Sequence, residues 1–359
     1  MSGDAGERLK LTAYFGERDR ADGRLVADAL IDLYARHEVE SSLLMRGVTG
    51  FGLRHHLRTD RLLTLSEDLP AVAVAVDRAP AIEALLEEVL RLRRHGLLSL
   101  ERARRVGGSA GPLAAELGDE LKLTMYLGRG DRADGEPAFL AACEVLHRAG
   151  VGGATALLGV DGTVRGQRRR GRFLGRNGSV PMMIVAVGRR QPIEAALPEL
   201  TSLAAEATMT IERVRVCKRD GRLLQAPTPL PATDAGGLGL WQKLTVFTSE
   251  ARLADGRPAH QELVRRLRRD GVAGATSLRG VWGFHGDHGP HGDRLLQLRR
   301  RAPILTSVID RPDRIRRGFE LADELTPEHG LITVETVPAM YATAAARERG
   351  GLRLARPHG

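Results

Sequence analysis

The sequence predicts an α+β protein made of three tandem β-α-β-β-α-β units. First, the phrase Leu9-Lys10-Leu11-Thr12-Ala13-Tyr14 returns as Leu121-Lys122-Leu123-Thr124-Met125-Tyr126 and again as Gln242-Lys243-Leu244-Thr245-Val246-Phe247. Only four of the 54 Lys+Arg residues are lysine, so three lysines at one place in a repeated phrase mark an internal triplication. Second, the steps of 112 and 121 residues between those lysines bring other columns into line, among them Asp22-Gly23 with Asp134-Gly135 and Asp255-Gly256, and Gly47 with Gly159 and Gly280. After single-residue gaps, Pro70, Pro181 and Pro303 coincide, and Leu98-Ser99-Leu100-Glu101 matches Met209-Thr210-Ile211-Glu212 and Ile332-Thr333-Val334-Glu335. Third, β-rich runs alternate with helix-period runs in the same order each time.

The lysine phrase alternates its residues with period two and reads as a first strand. An Asp-Gly turn follows, with Pro137 and Pro258 at the expected first helical position of units 2 and 3. Apolar residues then recur at i, i+4, i+5 and i+8: Val26, Leu30, Ile31 and Tyr34 in unit 1, Ala138, Ala142, Cys143 and Leu146 in unit 2, Ala259, Leu263, Val264 and Leu267 in unit 3. That spacing is one face of a helix. A second strand, Ser41 to Arg46 in unit 1, leads through a Gly-rich loop to a third, the Ala71–Val76 run that Met183–Val187 matches. A second helix with Ile82, Leu85, Leu86 and Val89 on one face precedes the last strand, which holds the Leu-Ser-Leu-Glu phrase. This is the ferredoxin-like plan, an antiparallel sheet with both helices on one face. Its open face needs cover, which three copies can give one another. The expected boundaries are unit 1 at residues 8–105, a linker at 106–120, unit 2 at 121–222, a Pro/Gly linker at 223–241, unit 3 at 242–338, and an Arg/Ala-rich tail at 339–359, helical or loose.

A hydrophobic content of 42% supports packed cores, but aromatics are only 4%, so Ala, Val, Leu and Ile must fill them. No run reaches the ~18 apolar residues of a membrane span, and the first residues lack an apolar signal core, so a cytoplasmic protein is expected. Cys143 and Cys217 form no metal or disulfide pattern; Cys143 falls in a helix core column and reads as packing. The net charge of +9 suits an anionic partner, but the arginines spread through all three units, as on solvated faces. RNA-recognition modules of this fold stack bases on aromatics of the central strands. Strand 3 carries none here, so no nucleic acid is expected. No nucleophile motif recurs in all units, and a non-catalytic protein is the reading.

Lys10 to Arg20, then Arg46-Gly47-Val48-Thr49-Gly50-Phe51-Gly52, then Leu65-Ser66-Glu67-Asp68-Leu69-Pro70 together resemble the uncharacterised PII-like family, domain of unknown function 190, with unit 2 the divergent copy. The resemblance implies a relative of the PII signalling proteins, ferredoxin-like homotrimers that bind adenine nucleotides between subunits. It implies a regulatory or ligand-sensing role with a small anionic ligand in inter-unit clefts, an adenine nucleotide being a candidate, and a link to fluoride or ion transport through a membrane channel or transporter. A homotrimer closes through three identical heterologous interfaces. Three units in one chain can form the same ring, so a monomeric PII-like pseudo-trimer is expected.

The ligand residues expected on this basis are Arg46, Gly47, Gly50, Phe51, Gly52, Ser66, Glu67 and Asp68 in unit 1, with Arg279, Gly280, Gly283 and Phe284 in unit 3. Glycines let backbone amides approach a phosphate, and arginine grips planar anions. Unit 2 loses the phenylalanine (Asp161-Gly162-Thr163-Val164) and has Leu158 in the arginine column. The glycine/lysine phosphate loop of PII proteins is missing after strand 3, where Asp77-Arg78-Ala79-Pro80 stands. His285, His288 and His291 in the unit 3 loop give a second candidate, a divalent metal site and hence a metal-responsive protein, although the glycines and proline make the stretch flexible, so that binding would have to order it first, and favour a solvated loop. Lys10, Lys122 and Lys243 could reach an anionic ligand or pair with Glu101, Glu212 and Glu335.

Overall fold

The computed structural model describes residues 6–52, 58–59, 68–92, 95–106, 113–171, 180–251, 253–254, 256–285, 291–292, 302–344 and 347–356. Within them lie six α-helices and a continuous antiparallel network of 20 strands. Repeat 1 runs β1 (Glu7–Gly16), α1 (Val26–Arg36), β2 (Ser41–Phe51), β3 (Pro70–Asp77), α2 (Ala79–Arg91) and β4 (His95–Val106). Repeat 2 runs β5 (Glu120–Gly128), α3 (Ala138–Arg148), β6 (Gly153–Leu158), β7 (Asp161–Val164), β8 (Pro181–Arg189), α4 (Arg190–Leu203), β9 (Thr208–Arg213) and the added strand β10 (Arg215–Arg219). Repeat 3 runs β11 (Trp241–Ser249), α5 (Ala259–Arg269), β12 (Ala275–His285), β13 (Pro303–Asp310), α6 (Pro312–Leu325) and β14 (Leu331–Val337), followed by the hairpin β15 (Ala339–Ala344) and β16 (Arg347–Gly351).

The lysine columns set one register in all three. Lys10 pairs Val76 on one side and Glu101 on the other, Lys122 pairs Val187 and Glu212, and Lys243 pairs Ile309 and Glu335. The strand order in repeat 1 is therefore β2-β3-β1-β4, and the other repeats follow it. Asp22-Gly23 and Asp134-Gly135 sit at positive φ in both residues (49° and 82°, 48° and 85°), as a two-residue reverse turn needs. Pro137 and Pro258 stand one residue earlier than expected, just before the first helical residue.

Strand β3 shows how the layers divide. Its residues alternate alanine and valine. Ala71, Ala73 and Ala75 face the helices of repeat 1, whereas Val72, Val74 and Val76 join a central cluster with Val185, Leu305 and Phe247 from the other repeats. The helices thus lie outside, and the three sheets meet at an axis.

Two cyclic exchanges lock the ring. Each second strand reaches a neighbour: Thr49–Phe51 pairs Ala275–Ser277 of repeat 3, Gly280–His285 pairs Gly153–Leu157 of repeat 2, and β7 pairs Ser41–Leu44 of repeat 1. The end of each repeat's last strand, or the strand that follows it, reaches the other neighbour: Arg104–Val106 at the end of β4 pairs Met209–Ile211, β10 pairs Leu331–Val334, and β15 pairs His95–Leu100. Two expectations are corrected here. Gly47 to Phe51 is strand rather than loop, because a neighbouring sheet edge supplies its hydrogen bonds. The tail after Pro338 is a β-hairpin, because the edge of β4 needs a partner and a helix could not provide one.

Candidate functional site

Strand register sets each repeated-column lysine beside its own repeat's glutamate, and the meeting of the three sheets brings the six charges together at the axis. Lys10, Lys122 and Lys243 are 5–7% exposed, and Glu101, Glu212 and Glu335 are 3–5% exposed. Each lysine bridges its own repeat's glutamate and a neighbour's. Lys10 lies 3.0 Å from Glu101 and 2.6 Å from Glu212, and Lys122 lies 2.8 Å from Glu212 and also pairs Glu335. Lys243 lies 3.5 Å from Glu335 and pairs Glu101. The result is an alternating ring of three ammonium and three carboxylate groups. One carboxylate oxygen from each glutamate falls within 4.8 Å of the others, the spacing of a metal cluster. Three lysines already supply that cluster's positive charge, so its chemistry does not favour a cation.

Burial favours the neutral acid at Glu101, but Lys10, Lys243 and Lys122 override it and hold the carboxyl below the usual range. Glu212 is lowered in the same way. Burial opposes the charge on Lys10 and Lys243 as well, yet their paired glutamates raise both. Lys122 is lowered, since burial and two like charges outweigh its glutamates. Below the ring, Tyr14, Tyr126 and Phe247 close a cavity of about 70 Å³, and burial pushes Tyr14 up to about 12. The lysine columns are therefore paired within the protein.

The phenylalanines of the second strands also act across the seams. Phe51 is buried in the core of repeat 3, beside Leu263 and Leu267. Phe284 is buried in the core of repeat 2, edge-on to His147 at 5.0 Å. Thr163 holds that column for repeat 1; its hydroxyl donates to Val39 O at 2.8 Å. Repeat 1 receives the smaller side chain and carries the larger Tyr34 where the other repeats have Leu146 and Leu267, all three buried. Glycines allow the close approach. A Cβ at Gly50 would sit 2.6 Å from Ala275 O, at Gly283 2.4 Å from Ala154 O, and at Gly47 and Gly280 2.7 Å from Pro70 and Thr155 side chains.

Where β2 crosses into repeat 3, a cleft of about 450 Å³ opens. Repeat 1 supplies Tyr14, Phe15, Asp19, Phe51, Gly52 and Asp68, and repeat 3 supplies Ala273 to Thr276 with Ser307. His95, Gly96 and the β15 end, Thr343-Ala344, complete it. Gly16 N donates to Asp19 at 2.8 Å and Arg18 N to Asp68 at 2.8 Å, which fixes the turn after β1. The same columns recur in a smaller cavity of about 110 Å³ at Thr248, Ser249, His285, His329 and Gly330. The His-Gly column, with Gly96 at φ 114° and Gly330 at φ 106°, was the sequence signal that could have pointed to these walls.

Of the expected ligand residues, Phe51, Gly52 and Asp68 meet in the larger cleft. Arg46 is ion-paired with Glu17 and Arg279 with Glu250. Gly47, Gly50, Gly280, Gly283 and Phe284 belong to the seams. Ser66, Glu67 and His288 lie outside the described residues, as does the side chain of His291; His285 lines the smaller cavity. No helix among the described residues is long and apolar enough to cross a membrane.

The three repeats agree with a threefold family match. The family model DUF190, described as Uncharacterized ACR, COG1993, matches residues 8–105, 120–216 and 241–339, and the chain belongs to that family. A curated relative, the UPF0166 protein of Aquifex aeolicus (strain VF5), is 34% identical over 99 residues, which are 27% of this chain and 91% of the relative. Solved structures with some likeness include an unknown protein from Galdieria sulphuraria (13% identity, TM-score 0.18, 57% of this chain and 98% of that one). Another is a putative glycine cleavage system transcriptional repressor (10% identity, TM-score 0.16, 58% and 98%).

Proposed function

We propose that the chain is a non-catalytic PII-like regulatory protein, an intramolecular pseudo-trimer of ferredoxin-like units that senses a small ligand in the cleft between repeats 1 and 3. The observation that carries this reading is the cleft itself: about 450 Å³, walled by two repeats, with the end of the C-terminal hairpin at its edge. A ligand there touches both repeats and the hairpin, so binding would alter how they sit together. The volume suits a drug-sized molecule. Tyr14, Phe15 and Phe51 offer apolar faces and Thr276 and Ser307 offer hydroxyls, which fits the base and sugar of an adenine nucleotide. Asp19 and Asp68 disfavour phosphate beside them, so adenosine should bind at least as well as ATP. A regulated channel or transporter partner is part of the same proposal. The pseudo-trimer is supported by the closed strand exchanges and by a relative about one repeat long.

A thermal-shift series with adenosine, AMP, ATP, cyclic dinucleotides, fluoride, zinc and nickel tests the reading, because binding stabilises the folded state by mass action. Gly52→Trp should abolish the effective ligand's shift, since Gly52 lines the cleft and an added Cβ there meets nothing within 4 Å. A response to metals alone would overturn it. Light scattering should give a mass near 38.9 kDa; three times that would sink the monomeric ring.

A further inference from the structure

On the opposite face of the charge ring lies a second, larger concavity of about 1060 Å³. Its floor includes Glu101, Glu212 and Glu335, its wall comes from β8, β9 and the start of α4, and its rim comes from the 225–240 segment and the chain end. Three lysines neutralise the floor carboxylates, so the rim decides the field. Arg102, Arg189, Arg190, Arg213, Arg215 and Arg356 line it, against Asp119, Glu120 and Glu194.

Several of these groups are committed. Arg190 donates to Gly118 O and Leu113 O at 2.9 Å, and Arg215 to Gln225 at 2.7 Å. Glu120 accepts from Val216 N at 2.7 Å, and Glu194 pairs Arg190 at 3.3 Å. Arg189 and Arg213 are exposed, and no carboxylate pairs with either among the described residues; Arg356, also exposed, is committed to Asp234, whose carboxylate accepts from its backbone N–H at 2.9 Å. Arg189 and Arg213 stand on the strands flanking β5, which separates their backbones by roughly 10 Å, two strand spacings. A concavity lined by one sign of charge focuses its field on counter-ions, and guanidinium groups hold phosphate through charge-assisted hydrogen bonds.

The floor adds a second, independent observation. Gln242 is 2% exposed and Glu335 is 5% exposed, and the Oε1 atom of each is a buried acceptor with no hydrogen-bond partner. Both residues line this basin. Unpaired buried acceptors call for donors. A ligand that matches both ends has an anionic group at the arginine rim and hydroxyl or amino donors toward the floor.

We propose that this axial basin is a binding site for a phosphorylated, hydroxyl-bearing small molecule of about nucleotide size, separate from the cleft between repeats 1 and 3. Isothermal titration of the full chain with inorganic pyrophosphate and with glucose 6-phosphate tests it. Both probes should bind. Arg189→Ala/Arg213→Ala should weaken both by about tenfold or more, the loss expected from one or two charge-assisted hydrogen bonds. Gln242→Leu should weaken glucose 6-phosphate while sparing pyrophosphate. The control Arg36→Ala/Arg148→Ala, which changes net charge equally on the outer helices, should leave both unchanged, as should Gly52→Trp in the cleft. The same phosphate chemistry could come from a lipid headgroup, so phosphatidylglycerol vesicles form a second arm. Absence of binding by both probes, equal loss in the control, or binding to vesicles alone would each overturn the proposal.

Discussion

Replacing Lys122 by methionine removes one of the six charges at the axis and nothing of comparable bulk. In the native protein Lys122 lies 2.8 Å from Glu212 and also contacts Glu335. After the change Glu212 keeps Lys10 at 2.6 Å and Glu335 keeps Lys243 at 3.5 Å, so two ammonium groups face three carboxylates and a net negative charge is left buried. Removing one partner of a buried ion pair costs about 3–5 kcal/mol, against a total margin of roughly 5–15 kcal/mol for a typical protein. Urea unfolding at pH 7 should show that loss as a lower midpoint at an unchanged slope. The deficit should narrow as the pH is lowered, because a carboxylate left buried without its cation takes up a proton more readily. A variant within about 1 kcal/mol of the parent at pH 7, or a deficit that widens on acidification, would refute the ring as a set of mutually compensated charges. Changing all three lysines to methionine with all three glutamates to leucine should leave a folded chain of equal or greater stability, since well-packed apolar residues often replace buried ion pairs without loss.

In the parent protein, Glu101 and Glu212 are held below their unfolded value of about 4.3; the stability they contribute is present above that pH and should fall away in acid unfolding below it. Lys10 and Lys243 are raised, so their contribution is complete below about 10.4 and is lost only as pH climbs through their folded values, which an alkaline titration by circular dichroism would follow. Phe51→Ala and Phe284→Ala should each cost about 3–5 kcal/mol through a core cavity, measured by denaturant unfolding. Thr163→Phe should be destabilising alone by about 1–3 kcal/mol through overpacking, and Tyr34→Leu should rescue it in a double-mutant cycle. Burial pushes the thiols of Cys143 and Cys217 up to about 12, so a thiol reagent at pH 8 should label neither until the chain is unfolded.

Periodicity and column matching carried the helices and most strands, because those depend on neighbours close in sequence. Ile31, Cys143 and Val264 stood in one column and are all buried. The pairing of the lysines with Glu101, Glu212 and Glu335 was legible as an alternative, since strand register places them side by side. What the chain did not disclose was which repeat each segment serves. Gly50-Phe51-Gly52 reads as a ligand loop in isolation, yet Phe51 spends most of its surface in another repeat's core. The tail after Pro338 reads as Arg/Ala-rich and helical or loose, yet the unpaired edge of β4 makes it a strand. Both outcomes are set by partners far away along the chain, and local propensity cannot weigh them. The cleft walls at Ala273 to Thr276 and Thr343 were missed for the same reason: they are small, neutral residues whose role arises from where the fold brings them.

The exchange of Phe51, Thr163 and Phe284 has a consequence for how such a protein can change. In a ring of three identical chains, any substitution at a seam lands three times, and all three sites must tolerate it at once. Here each seam is encoded once. The joint at Thr163 has the smaller plug and goes with the larger Tyr34 in repeat 1, while the other two joints have phenylalanines and leucines in those columns. Fusion into one chain lets a single joint specialise while its two siblings hold the frame.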